Sequence, residues 1–159
     1  LAAEQNEEYK IISDGLWYLR YLTDSTIAED GFSTDLTSWL TYHKSKSGAR
    51  AQSRMAAGLV LLKALGHEIP DDAWWQVLEA PRTPVESGGA TVFRIAMSRA
   101  TDAGRIGEAI LLLLLSFGEA APAIDNIDTV STAVRVLRQL GLETEAKKLV
   151  LEVAATGGL

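Results

Sequence analysis

The chain contains no cysteine, which excludes disulfide bonds, thiolate nucleophiles and cysteine-ligated metals. Histidine is almost as scarce, because His43 and His67 are the only two, and a histidine-based catalytic triad therefore has few candidates. The glycine patterns of phosphate-binding and dinucleotide-binding loops do not occur, nor does the Gly-x-Ser-x-Gly nucleophile motif. We therefore predict no catalytic residue, no cofactor and no metal site.

Long apolar runs and a basic excess are also missing. The longest strictly apolar stretch is 109–115, far shorter than the roughly 20 residues of a membrane-spanning helix. We expect no membrane span, and we expect this stretch to be a helix buried on all sides. With 15 basic and 21 acidic residues the net charge is −6, which argues against nucleic acid as a partner. The composition predicts one soluble globular domain over 1–159, in the cytoplasm or the periplasm.

Apolar residues recur at helical spacing along almost the whole chain, whereas no alternating strand pattern persists. Two of the four prolines fall in the segment 81–89, which we expect to be a long loop between a first helical half, 1–80, and a second, 90–159. We predict seven to eight helices: 3–22, a short helix with N-cap Ser33, one ending at Gly66, one starting after Pro70, then 90–103, 106–117, 129–140 and 144–155.

Three apolar runs end on a glycine, at Gly66, Gly118 and Gly141. A glycine just past the last turn can adopt the left-handed conformation that caps a helix. The first two glycines are followed four residues later by a proline, whereas Gly141 is followed by a short connection that predicts an antiparallel helical hairpin. Because the spacing is irregular, the expected fold is all-α: an irregular array of antiparallel helical hairpins, either α-solenoid-like or an orthogonal bundle.

The segments 107–122 and 136–146 resemble the C-terminal region of large bacterial α-helical-repeat proteins. The likeness covers about 50 residues and lacks the Trp-Leu-Gly-Tyr signature of true tetratricopeptide repeats. It implies a tetratricopeptide-like scaffold whose terminal helices close the array. The chain, which begins at Leu1, would then be the C-terminal fragment of a longer protein.

No aspartate or glutamate occurs between residues 36 and 67, whereas basic residues are frequent there. Arg50 and Arg54 are four apart and would share a helix face, and Trp39 and Tyr42 nearby suit a protein or sugar surface. This basic patch either pairs with the acidic opening segment of the chain or binds an acidic partner, an anionic glycan or a membrane headgroup. Its basic residues are Lys44, Lys46, Arg50, Arg54 and Lys63.

Three further features have a structural and a functional interpretation. Trp74 and Trp75 point about 100° apart on a helix, so one is expected to be partly exposed and could anchor a partner. Glu108 either stabilises a helix start beside Arg105 or acts as an acid of raised pKa. The polar cluster 67–72 is a solvated turn and helix cap, or alternatively a group of metal ligands.

The hypothesis that follows is a non-enzymatic interaction or scaffolding module of stacked helical hairpins, which binds another protein or associates with itself. One alternative is a helical hydrolase or binding protein for a glycan or cell-wall fragment, with Glu108 or a carboxylate near Trp74 as the acid. Another is a carrier of a small molecule or lipid. The candidate partner-binding residues are Trp39, Tyr42, Lys44, Lys46, Arg50, Arg54, Trp74 and Trp75.

Overall fold

The computed structural model of the chain describes residues 18–23, 31–45, 49–78, 88–118 and 122–157. These residues lie in helices or in the connections between helices, which confirms the predicted all-α class and the number of helices. The helices are α1 (18–23), α2 (Phe32–Ser45), α3 (Ala49–Ala64), α4 (Asp71–Leu78), α5 (Gly88–Asp102), α6 (Ile106–Phe117), α7 (Ile127–Gln139) and α8 (Glu143–Gly157), with a 3-10 turn at Ile124–Asn126 before α7.

Most helix boundaries agree with the sequence prediction. α6 has the predicted bounds, and α7 and α8 differ from theirs by no more than two residues at either end. α2 begins one residue before Ser33, the predicted N-cap. Gly88 and Gly89 form the first turn of α5, where a loop was predicted. The rest of that loop, 81–87, and the predicted helical segment 3–17 lie outside the described residues.

The predicted glycine helix ends are confirmed, since Gly66, Gly118 and Gly141 all have positive φ. At Gly66, φ is +98°, and the amides of Gly66 and His67 donate to carbonyls of the last turn of α3 at 3.0 and 3.1 Å. Gly66 also has a packing reason to lack a side chain, because a Cβ there would lie 2.6 Å from the guanidinium of Arg138. Gly66 thus ends α3 and leaves space for the side chain of Arg138 from α7.

Arg138 connects three helices. Its Nη1 donates to the carbonyl of Ala64 at the end of α3, at 3.0 Å. Its Nε pairs with Oε2 of Glu143 in the first turn of α8, at 3.2 Å. Because an arginine has five donors in a planar fork, one side chain can satisfy a helix end and a carboxylate together.

The larger core is centred on Trp39 of α2. Its indole stacks on the ring of Tyr18 at 5.2 Å between centroids, and the two planes differ by 6°. Tyr18 donates its hydroxyl hydrogen to the carbonyl of Gly58 in α3 at 3.0 Å. A Cβ on Gly58 would lie 2.5 Å from the indole, so this glycine is what allows α2 and α3 to approach. The core continues through the leucines of α3 into α7 and α8.

A smaller core lies between α5, α6 and α7. It is built from Met97, Ala100, Ala109, Leu113, Ala133 and Val136. α7 contributes to both cores, because Val130 and Val134 face the larger one and Ala133 and Val136 the smaller one. α5 and α6, joined by residues 103–105, therefore pack as a helical hairpin against one side of α7.

Candidate functional site

Within the described residues, the members of the predicted basic patch differ in exposure and in role. Trp39 is 1% exposed and belongs to the core, so it is not available to a partner and its prediction as a partner-binding residue is corrected. Tyr42 is half-buried and Lys44 is exposed, both near the end of α2. Lys46 and the side chain of Arg50 lie outside the described residues, and Arg50 itself is in the first turn of α3.

Arg54 has an internal structural role. Its Nε donates to the carbonyl of Gly157, the last residue of α8, at 3.1 Å. Carbonyls at a helix C-terminus lack intrahelical partners and carry partial negative charge, so a cation there stabilises the helix end. Arg54 therefore links α8 to α3, and at least one donor of this predicted partner-binding side chain is used within the fold.

We expect Arg54→Glu to destabilise the fold, by about 1–3 kcal/mol, because the substitution removes a charged hydrogen bond and places a carboxylate beside carbonyl oxygens. Urea unfolding followed by circular dichroism measures this loss. Lys44→Glu is the matched control, since Lys44 is exposed in the last turn of α2 and should change stability by no more than about 0.5 kcal/mol. Equal effects of the two substitutions would contradict the role assigned to Arg54.

The two adjacent tryptophans of α4 behave as their angular separation predicts. Trp75 is 65% exposed, whereas Trp74 is half-buried against the larger core. Trp75 is on α4 and Lys44 is on α2, and each of these two helices packs against α3. Of the candidate residues, Trp75 presents the largest exposed aromatic surface.

Glu108 has the structural role predicted for it, whereas His67 of the cluster 67–72 is packed against other residues rather than solvated. Glu108 lies in the first turn of α6 and pairs with Arg105, and both side chains are about half exposed. The imidazole Nε2 of His67 lies 2.9 Å from the carbonyl oxygen of Tyr21, and its ring stacks on Phe32. No group of three or more potential metal ligands occurs within the described part of the chain.

α6 is where the structure departs most from the sequence prediction. Leu111, Leu114 and Leu115 are 57%, 61% and 54% exposed, so the expectation of a helix buried on all sides is wrong. Only the stripe of Ala109 and Leu113 is buried, against α5 and α7. A helix this apolar needs cover on every face, but the described helices cover only one side of it.

An apolar surface made of exposed side chains from both helices therefore occurs on the α5–α6 hairpin. On α6, residues 111, 114 and 115 follow the spacing that brings side chains onto one helix face. On α5, Val92 is 68% and Ile95 is 52% exposed, and both line a groove that reaches Glu108 of α6. We call this surface the apolar face: it consists of Val92, Ile95, Leu111, Leu114 and Leu115.

The size of the apolar face sets it apart from ordinary surface exposure. At about 100 Å² for each half-exposed side chain, the five residues together expose roughly 500 Å² of apolar surface, an amount comparable to the largest and often functional apolar patch of a monomer. The groove beside Val92 and Ile95 has a volume of about 410 Å³ and is bounded at the connection end by Arg99, Arg105 and Glu108. The ion pairs within the described ranges, Arg105–Glu108 and Arg138–Glu143, do not include Arg99.

Sequence reasoning missed the apolar face. The signal was present, because α6 is apolar around its whole circumference, but the same pattern is typical of a fully buried helix. Val92 and Ile95 gave no separate signal, since they occupy positions of a helical stripe that is normally assigned to a core.

None of the helices in the described ranges has the length and apolar character required to cross a bilayer. Comparison with family models, with curated proteins and with solved structures finds no match to this chain. The resemblance to helical-repeat proteins thus stays a prediction, and the function is argued from the surface of the molecule.

Proposed function

We propose that the chain is a non-enzymatic protein-interaction module built from helical hairpins, and that its apolar face binds an amphipathic helix of a partner protein. The observation that carries this proposal is the exposure of the α6 leucines beside Val92 and Ile95. This amount of exposed apolar surface on one helical hairpin of an otherwise packed domain is typical of interaction sites. A groove between two helices suits a third helix, which inserts apolar residues at positions i, i+3, i+4 and i+7.

Charge at the groove favours a partner with acidic residues beside its apolar stripe. Glu108 is neutralised by Arg105, so the excess charge of the groove is the guanidinium of Arg99. A second copy of the chain would bring the same arginine to this surface, whereas a glutamate or aspartate of a different partner complements it. We therefore propose that the acidic partner expected from the sequence binds at α5 and α6 rather than at the surface around α2 and α3.

A designed peptide tests this proposal. The probe is a fluorescein-labelled helix of about 18 residues with leucines at i, i+3, i+4 and i+7 and glutamates beside them. We expect Leu111→Gln to weaken binding at least about tenfold, because a buried leucine contributes roughly 1.5–3 kcal/mol. Leu78→Gln, a matched change of an exposed leucine on α4, should leave the dissociation constant within about twofold.

Two results would contradict the proposal. One is equal affinity of Leu111→Gln and the unsubstituted protein for the peptide, or no binding by either. The other is a dimer in analytical ultracentrifugation that Leu111→Gln dissociates, since that would assign the apolar face to a second copy. Lysines in place of the peptide's glutamates should weaken binding, because they would meet Arg99.

A further inference from the structure

A second cleft, separate from the apolar face, lies along the seam between α5 and α7. Its volume is about 410 Å³. One wall carries Arg94 and Ser98, which are one helical turn apart on α5. The other wall and the floor come from α7, whose contributing residues follow the spacing of one helix face: Thr132, Arg135, Val136 and Gln139.

The cleft is cationic although the chain as a whole carries a net charge of −6. Among the described residues, it is lined by the two guanidinium groups of Arg94 and Arg135 and by no carboxylate. Neither arginine belongs to the ion pairs within the described ranges, and Arg135 makes a long hydrogen bond of 3.4 Å to the hydroxyl of Thr132. Two like charges on facing walls repel each other, and a bound anion would remove that repulsion.

We propose that this cleft binds a short acidic peptide segment through its carboxylates. Arginine pairs with carboxylates in a bidentate geometry, and the amide of Gln139 supplies a further donor on the α7 wall. The hydroxyl of Ser98 donates to Oδ2 of Asp102, one turn further along α5, at 3.4 Å. The floor is apolar at Val136, which is almost fully buried. An anionic side chain between two arginines, over an apolar floor, is the occupant that this lining fits.

The shape of the seam favours an extended segment over a compact ion. At Arg94 and Thr132 the cleft adjoins a smaller hollow with Met97 in its floor and Thr129 and Asp128 in its wall. The carboxylate of Asp128 repels an acidic residue at that end. The seam therefore selects a segment whose acidic residues meet Arg94 and Arg135 and whose neighbouring residue, near Asp128, is not acidic.

The test uses fluorescence anisotropy with a labelled eight-residue peptide that contains two adjacent glutamates, and with its glutamine counterpart. We expect the glutamate peptide to bind, Arg94→Gln and Arg135→Gln each to weaken that binding about tenfold, and the double substitution to abolish it. The matched control is Arg20→Gln, an exposed arginine of α1 that lines neither proposed surface, which should leave the affinity within about twofold. Thermal melts of all variants establish that they fold.

Three outcomes would overturn the proposal. These are no binding of the glutamate peptide at low ionic strength, equal binding of the glutamine peptide, and unchanged binding by the double variant. Competition with inorganic phosphate distinguishes a peptide-binding cleft from a site for a compact anion. Competition by phosphate as strong as that by unlabelled peptide would also overturn the peptide assignment. Because Arg94 and Arg135 lie outside the apolar face, failure here leaves the interaction-module proposal standing, and the reverse also holds.

Discussion

Trp39→Ala should destabilise the protein by about 3–5 kcal/mol, the largest loss that we expect from any single substitution. Trp39 fills the space between Tyr18 and Gly58, and the close approach of α2 and α3 leaves no alternative side chain to occupy it. The substitution removes the stacked ring and leaves a cavity that the surrounding helices can only partly close. Urea unfolding followed by circular dichroism gives the change in the free energy of unfolding.

Trp75→Ala is the matched control for this prediction. Trp75 has the same side chain but is 65% exposed on α4, so its removal should change stability by no more than about 1 kcal/mol. Similar losses for the two substitutions would contradict the assignment of Trp39 to the core, and a stable Trp39→Ala variant would do so on its own.

The second large effect is loss of stability at alkaline pH through Tyr18. Burial raises the pKa of the Tyr18 hydroxyl far above its ordinary value, because the phenolate would have to leave water. The unfolded chain releases this proton above pH of about 10, whereas the folded chain keeps it. The stabilisation is therefore fully present below that pH, and above it each further pH unit lowers the free energy of unfolding by about 1.4 kcal/mol.

The comparison variant is Tyr18→Phe. It should lose stability at neutral pH, by about 1–3 kcal/mol, because the buried carbonyl of Gly58 loses its hydrogen bond. Between pH 10 and 12 its stability should fall less steeply than that of the unsubstituted protein, since one titrating group is gone. Parallel pH profiles of the two proteins would show that Tyr18 does not titrate differently in the folded and unfolded states.

The helices and their ends could be predicted from the sequence because the signals are local. Gly66 and Gly141 end helices through their own backbone conformation, and the helical spacing of apolar residues fixes the element type. Contacts between residues on different helices leave no such local signal in the sequence. The contact of Trp39 with Gly58 and that of Arg138 with Gly66 depend on how α3 packs, and nothing in either residue's neighbourhood in the sequence encodes it.

Neither proposed surface could be located from the sequence, because each depends on how helices distant in the chain pack together. The leucines of α6 indicate that the helix needs apolar cover, but which face receives it depends on the packing of α5 and α7. Arg94 and Arg135 lie 41 residues apart and meet only because α5 packs beside α7. The distribution of charge along the sequence favoured a binding site around α2 and α3. In the structure, Arg54 from that region donates a hydrogen bond to the carbonyl of the last residue of α8.

The most direct test of the interaction-module proposal is a methyl NMR titration of the protein with the glutamate-flanked leucine helix. We predict that the methyl resonances of Leu111, Leu114 and Leu115 shift with a common dissociation constant, while those of Leu78 on α4 and Leu59 in the core do not. Shifts at Leu78 without shifts on α6, or an unchanged spectrum at saturating peptide, would contradict the account.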